Sequence, residues 1–208
     1  MQDDLLLEGP AEAAHTVVLA HGAGAPMDSP FMNRVSAGLA ARGMRVARFE
    51  FPYMAKRRVE GKRGAPDRPP VLLATWKAAV ARLGGGAAVV VGGKSLGGRM
   101  ASMIADEIGA RGLVCFGYPF HPPGDPGRLR TAHLAALRTP ALILQGTRDA
   151  LGTREEVAGY ALSAAIRVHW LEGGDHSFKP PARSGRTEKG NVEEAIAAAA
   201  EFVEGLRG

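Results

Sequence analysis

Six short apolar runs punctuate the chain: Thr16–Ala20, Arg45–Phe49, Ala87–Val91, Leu113–Phe116, Ala141–Leu144 and Ile166–Leu171. Short runs rich in Val, Leu and Ile are the signature of strands buried on both faces. The segments between them carry a helical period instead. Phe31, Val35 and Leu39 share a face, with Ser29 as candidate N-cap, Pro30 as first helical residue and Gly43 past the end. Leu72, Trp76, Val80 and Leu83 repeat until Gly84-Gly85-Gly86, and Leu96, Met100, Ile104 and Ile108 form a stripe closed by Gly109. Thr153-Arg154-Glu155-Glu156 fits a capping box. A last helix is expected from Asn191, with Glu194 in the capping position and Val192, Ile196, Ala199, Val203 and Leu206 along one side. This alternation predicts an α/β fold, a mostly parallel sheet of about six or seven strands with helices on both faces, as a single domain over residues 1–208. Ligands of such sheets gather at the C-terminal ends of the strands, so function is sought in the residues after each run.

After Ala87–Val91 comes Gly92-Gly93-Lys94-Ser95-Leu96-Gly97-Gly98. Its Gly-Lys-Ser ends like a phosphate-binding P-loop, but that pattern needs a glycine at position 88, which is alanine. Only Gly92 and Gly93 separate the strand from Lys94, too few residues for backbone N–H groups to curl round a phosphate. Gly93-Lys94-Ser95-Leu96-Gly97 instead fits a nucleophile elbow, where a serine on a sharp strand-to-helix turn needs small neighbours at −2 and +2. A chance serine in a glycine-rich turn is the competing explanation.

A serine hydroxyl is a weak nucleophile, so the elbow requires a base and a group to orient it. Asp149 follows the strand Ala141–Leu144, and His176 follows Ile166–Leu171. Ser95, Asp149 and His176 therefore stand after strand ends in the chain order nucleophile, acid, histidine. Asp125 is an alternative acid, and Asp175 is too close to His176 in sequence to serve it. The strand Thr16–Ala20 exits into His21-Gly22-Ala23-Gly24-Ala25. The N–H of Ala23, with that of Leu96, is the expected oxyanion hole, and Gly24 is the second candidate.

These segments, His21-Gly22-Ala23-Gly24, Gly93 to Arg99, Gln145 to Asp149 and Gly173-Gly174-Asp175-His176-Ser177-Phe178, resemble the small α/β-hydrolases along the whole chain. The likeness is to the bacterial branch called dienelactone-hydrolase-like, which is similar to testis-expressed protein 30 and NSL complex subunit 3. It implies a serine hydrolase with the roles just given. Dienelactone hydrolases generally use a cysteine nucleophile, so Ser95 speaks against lactone specificity. The complex-subunit relatives keep open a non-catalytic, hydrolase-fold binding or scaffold protein. A peptidase or acyltransferase on the same three residues is a further alternative.

Substrate is less legible. Phe51–Pro70, read as a loop, holds Lys56, Arg57, Arg58, Lys62, Arg63 and Arg68 against Glu60 and Asp67, and Ser177–Gly190 holds Lys179, Arg183, Arg186 and Lys189 against Glu188. These stretches carry more than the whole net charge of +5, and both follow strands, so a positive rim favouring anionic substrates is expected around Ser95. Arg57, Arg63, Lys94, His21 and His121 are the candidate substrate contacts. For His21 the stronger expectation is a brace for the oxyanion loop, for His121 a structural turn is as good a reading, and for Lys94 a salt bridge to a loop acid. Ester or thioester cleavage of a small molecule is the expected reaction. No cofactor is implied, and no His/Cys/Asp cluster has metal-ligand spacing. The basic pI of about 9.7 is the sole hint of nucleic acid, and no reading element supports it. The lone cysteine, Cys115, excludes an internal disulfide and reads as a buried apolar residue. With no signal peptide pattern and no run long enough for a bilayer, a cytoplasmic protein is expected. The segment between Phe116 and Ala141 leaves room for a crossover helix over Arg128–Leu137 but not for a substantial cap.

Overall fold

The computed structural model describes residues 5–62 and 64–206. Its strands are β1 (Leu6–Glu8), β2 (Thr16–Ala20), β3 (Arg45–Phe49), β4 (Val89–Lys94), β5 (Gly112–Phe116), β6 (Ala141–Gly146) and β7 (Ile166–Leu171). They form one sheet in the order β1-β3-β2-β4-β5-β6-β7, antiparallel at β1 and parallel elsewhere. The helices are α1 (Pro30–Ala40), α2 (Pro52–Glu60), α3 (Pro69–Ala81), α4 (Leu96–Ile104), α5 (Arg154–Val157) and α6 (Glu188–Glu204).

Successive side chains of a strand point to opposite faces, and the chain uses both. Val18, Ala20, Val89, Val91, Leu113, Cys115, Ala141 and Ile143 pack with Trp76, Met100 and Ile104 of α3 and α4. Their neighbours Val17, Leu19, Val90, Val114, Phe116, Leu142 and Leu144 pack with Leu39, Ile196 and Val203 of α1 and α6. The two layers of helix are what make the apolar runs continuous rather than alternating.

Several elements depart from the sequence expectations. β1 has three half-exposed residues and too little apolar pattern to be seen. The basic stretch after β3 is not a loop. Its first half is α2, begun by Pro52 at N1 and ended by Gly61 in the left-handed conformation, with Tyr53 and Met54 as its buried residues. Asp67 folds back on it, accepting the Tyr53 N–H at 2.8 Å. Ser29 stands at the N-cap of α1 but makes no capping hydrogen bond. The helix after Ser95 ends at Ile104, although the chain makes one more turn through Ile108 before Gly109. No α-helix forms over Arg128–Leu137. Only the turn Leu134–Ala136 is helical, of the tighter 3₁₀ kind, and Leu134 and Leu137 are its anchors in the core. α6 starts earlier than expected, capped by the Thr187 side chain on Gly190 N–H. Glu194 does not cap it, but pairs with His169 at 3.1 Å and Arg186 at 2.9 Å. The capping box at Thr153 forms as read, opening the one-turn α5. Among the described residues no cap domain is inserted along the sheet, and no helix is long and apolar enough to cross a membrane.

Candidate active site

β4 and α4 meet at Ser95. This residue takes φ 50° and ψ −111°, a conformation that costs an L-residue about 1–3 kcal/mol and persists only where its surroundings impose it. The surroundings are close packing on all sides. A Cβ on Gly93 would lie 2.1 Å from the Ala20 carbonyl oxygen, and one on Gly97 would lie 2.3 Å from the same atom. Both glycines of the motif are therefore needed to let the turn press against the end of β2. The Ser95 N–H donates to Phe116 O of β5 at 3.1 Å, and Ser95 O accepts from Arg99 N–H at 2.9 Å, fixing the turn at both ends.

Asp149 and His176 arrive from the ends of β6 and β7. His176 Nε2 lies 2.9 Å from Ser95 Oγ, and His176 Nδ1 lies 2.7 Å from Asp149 Oδ2. The carboxylate fixes the tautomer: Nδ1–H donates to Asp149, which leaves the Nε2 lone pair to accept the Ser95 hydroxyl proton. Asp149 is fully buried, while the imidazole remains about a third exposed. Asp149 Oδ1 accepts the Leu151 N–H at 2.9 Å and Oδ2 accepts the Gln145 amide at 2.9 Å.

Gln145 was not singled out by the sequence reading. It is fully buried at the end of β6. Its amide nitrogen also lies within 3.2 Å of Tyr118 O and Gly152 O, and its oxygen accepts the Tyr118 N–H at 2.7 Å. It thus ties the Asp149 loop to the segment after β5. The available signal was a polar residue closing an otherwise apolar buried strand, since such a residue must find partners inside.

The loop carrying His176 is built by Asp175, whose Oδ1 accepts the N–H groups of Ser177 and Lys179 at 2.8 and 2.9 Å. Phe178 closes it in the left-handed region at φ 68° with its ring fully buried. Buried Asn191 on α6 donates to Glu172 O and Phe178 O, holding both ends of the loop. Lys94 reaches the same loop from the elbow. Its ammonium donates to His176 O at 2.5 Å and lies 5.6 Å from the centroids of the Phe31 and Phe178 rings. The expected salt bridge is replaced by this carbonyl and the two ring faces. Burial pulls the Lys94 ammonium down to about 8, with the charges of Asp149 and Asp175 opposing the shift.

On the other side of Ser95 lies the loop after β2. His21 is fully buried, donates from Nδ1 to Gly22 O at 2.7 Å and accepts the Phe51 N–H on Nε2 at 3.1 Å. Burial lowers its pKa and favours this neutral form. His21 is a brace, with no ring nitrogen left for substrate. The Tyr53 hydroxyl is shared between Gly22 O and Ala23 O at 3.3 and 3.2 Å, and Arg57 Nη1 donates to Gly24 O at 3.2 Å. α2 thus engages the carbonyls of the loop. The N–H groups of Ala23, Gly24 and Leu96 have no acceptor among the described residues. Gly22 adjoins the serine, since a Cβ on it would lie 3.8 Å from Ser95 Cβ.

The remaining candidates separate. His121 is buried, with Nδ1 on Pro122 O at 2.8 Å and Nε2 3.6 Å from Glu156, and acts in its own turn. Arg63 lies outside the described residues. Cys115 is fully buried, its Sγ 3.5 Å from Gly98 O, and burial pushes its thiol pKa up. Much of the charge on the two basic stretches is matched by acids: Arg58 by Asp28 and Glu50 at 2.5 and 2.6 Å, Arg186 by Glu194, and Lys56 and Lys189 by the glutamates four residues on. Arg57 has no ion pair among the described residues. A concavity of about 470 Å³ between Thr147, Arg154 and Glu172 lies behind the Asp149 loop and does not include Ser95. Among the described residues, no group of His, Cys, Asp and Glu could hold a metal ion.

Comparison with solved structures gives the same architecture. A dienelactone hydrolase from Anabaena variabilis is 22% identical, with a TM-score of 0.72 over 98% of this chain and 92% of that one. An α/β serine hydrolase homologue from Coxiella burnetii is 17% identical, with a TM-score of 0.70 over 95% and 89%. A lidless α/β serine hydrolase from Xanthomonas campestris is 17% identical, with a TM-score of 0.67 over 95% and 88%. At such identities the likeness concerns the fold. The family model described as an alpha/beta hydrolase domain matches residues 13–204, nearly the whole chain, and on that match the protein belongs to the α/β-hydrolase family.

Proposed function

We propose that the protein is a serine hydrolase cleaving ester or thioester bonds of small substrates through an acyl-enzyme on Ser95. The observation that carries this reading is the unbroken hydrogen-bonded line from buried Asp149 through His176 to Ser95 Oγ, with the serine held at a positive φ. Ser95 Oγ attacks the carbonyl carbon while its proton passes to His176 Nε2. Asp149 stays ionised and stabilises the imidazolium. The carbonyl oxygen gains the negative charge and accepts the N–H groups of Leu96 and Ala23, with Gly24 the alternative donor. Collapse of the tetrahedral adduct breaks the bond to the alcohol or thiol, which leaves with the proton from His176. Water, deprotonated by the same imidazole, then attacks the acyl-enzyme and releases the acid and free Ser95. Arg57, bonded to the Gly24 carbonyl and without an ion pair among the described residues, supports a preference for anionic substrates.

Turnover of p-nitrophenyl acetate and a short acyl thioester by wild type, Ser95→Ala and His176→Ala tests the reading. Each substitution is expected to lower kcat by about 10³-fold or more. Unchanged turnover in either variant would contradict it.

A further inference from the structure

A group of cations stands one helical turn beyond Ser95, in a region the hydrolase reading does not use. Arg99, the fourth residue after Ser95, lies on α4 beside the segment that follows β5. In that segment Arg130 donates its N–H to Phe120 O at 2.7 Å and accepts the Tyr118 hydroxyl on its carbonyl at 3.0 Å. His133 lies against the same tyrosine and against Ser102 of α4, its Nε2 2.8 Å from Ser102 Oγ and 3.3 Å from the Tyr118 hydroxyl. Ser102 Oγ in turn donates to Arg99 O at 2.7 Å. These contacts bring the main chain of Arg99 and of Arg130 and the ring of His133 together round Tyr118, with Arg128 two residues from Arg130.

The cluster is electrostatically uncompensated. Among the described residues, Arg99, Arg128 and Arg130 make no ion pair, although many of the other exposed cations near the site are paired. Arg99 Nε is buried and has no hydrogen-bond partner. Burial, then the charges of Arg99 and Arg128, pull the Arg130 pKa down, with the Tyr118 hydroxyl opposing. Burial and Arg99 do the same to His133. A donor buried without an acceptor and cations gathered without an anion are both costly arrangements, and one multiply charged oxyanion would relieve both. The position is suited to substrate. The Ser95 carbonyl accepts the Arg99 N–H at 2.9 Å, which sets Arg99 one turn along the chain from the nucleophile. Guanidinium groups match phosphate oxygens in a fixed fork geometry.

We propose that Arg99, Arg128 and Arg130, with His133 beside them, form an anion subsite next to Ser95 that takes a phosphate group of the substrate. Its use in catalysis rests on the hydrolase reading, whereas binding of the anion does not. This subsite lies on the β5 side of the serine, apart from the basic stretches after β3 and β7.

The test is calorimetric titration of inorganic phosphate, and of acetate at equal ionic strength, into wild type, Arg99→Gln, Arg128→Gln and Arg130→Gln. Arg167→Gln, an exposed change of the same charge on β7, is the control. Saturable one-to-one phosphate binding, weakened at least tenfold in Arg99→Gln and Arg130→Gln, weakened in exposed Arg128→Gln and unchanged in the control, is expected. Circular dichroism confirms that the variants compared are folded, and Arg128→Gln keeps the test valid if Arg99→Gln fails to fold. Absence of saturable binding, equal binding by all variants, or acetate binding as tightly as phosphate would overturn the proposal. Labelling of Ser95 by a fluorophosphonate on the same preparations separates the two readings, because phosphate binding without labelling would sink the hydrolase and leave the anion site standing.

Discussion

Replacing Lys94 with methionine removes one charge from the elbow while keeping an unbranched chain between the Phe31 and Phe178 rings. The wild-type ammonium titrates near 8 in the fold against an ordinary value of 10.5. Between those values the unfolded chain holds a proton that the folded one has released, so this group makes the wild type more stable as pH rises. Below pH 8 the full cost of burying the charge is present. Above 10.5 it is gone. Integrating the two titrations gives a gain of about 2 kcal/mol from pH 7 to 9.5, with a slope approaching about 1.4 kcal/mol per pH unit. Other groups work in the opposite sense. Buried Cys115 and Tyr118 have raised pKa values, and their stabilising neutrality is lost as pH climbs through their unfolded values. They act equally in both proteins, so the quantity to follow is the difference in unfolding free energy between wild type and Lys94→Met. The lost hydrogen bond to His176 O adds an offset of about 1–3 kcal/mol that does not depend on pH, and only the slope is diagnostic. Urea unfolding at half-unit steps from pH 7 to 9.5 provides it. Parallel curves for the two proteins would refute the burial argument.

Gln145→Leu leaves the buried Tyr118 N–H without its acceptor and removes a donor from Asp149. At about 1–3 kcal/mol per orphaned group it is expected to cost about 2–6 kcal/mol in urea unfolding and to lower kcat as well; a loss under about 1 kcal/mol would show that Gln145 does not hold the loop. Gly97→Ala puts a methyl 2.3 Å from Ala20 O and 2.7 Å from His21 O, backbone atoms that cannot swing away. A shift of the elbow is expected to slow fluorophosphonate labelling more than tenfold, whereas Gly127→Ala, with open space around it, leaves the rate unchanged.

The strands β2 to β6 were legible because each is a short, largely apolar run covered on both faces, and β7 because Ile166, Val168, Trp170 and Leu171 keep an apolar pattern at the sheet edge. β1 was not, since three half-exposed edge residues carry no such pattern. α2 was hidden by its charge: Lys56, Arg57, Arg58 and Glu60 leave no apolar stripe, and its burial rests on Tyr53 and Met54. Pro52 at its start and Gly61 at its end were signals that composition overrode. The expected helix over Arg128–Leu137 stops at a single 3₁₀ turn, since Leu134 and Leu137 are its buried apolar anchors and give no longer helical stripe. Ser95, Asp149 and His176 stood out in the sequence through strand ends and chain order, and the structure brings them within hydrogen-bonding distance. The roles of Gln145 and of Lys94 depend on which loops the sheet order juxtaposes. Lys94 meets the loop after β7 although β5 and β6 lie between their strands, and no spacing in the sequence encodes that contact.

The most direct test of the central claim is intact-mass spectrometry after treatment with a fluorophosphonate, on wild type and on Ser95→Ala. One adduct on the wild type and none on the variant is expected. A folded wild type that takes no adduct, or a variant that still takes it, would contradict the claim that Ser95 is the activated nucleophile.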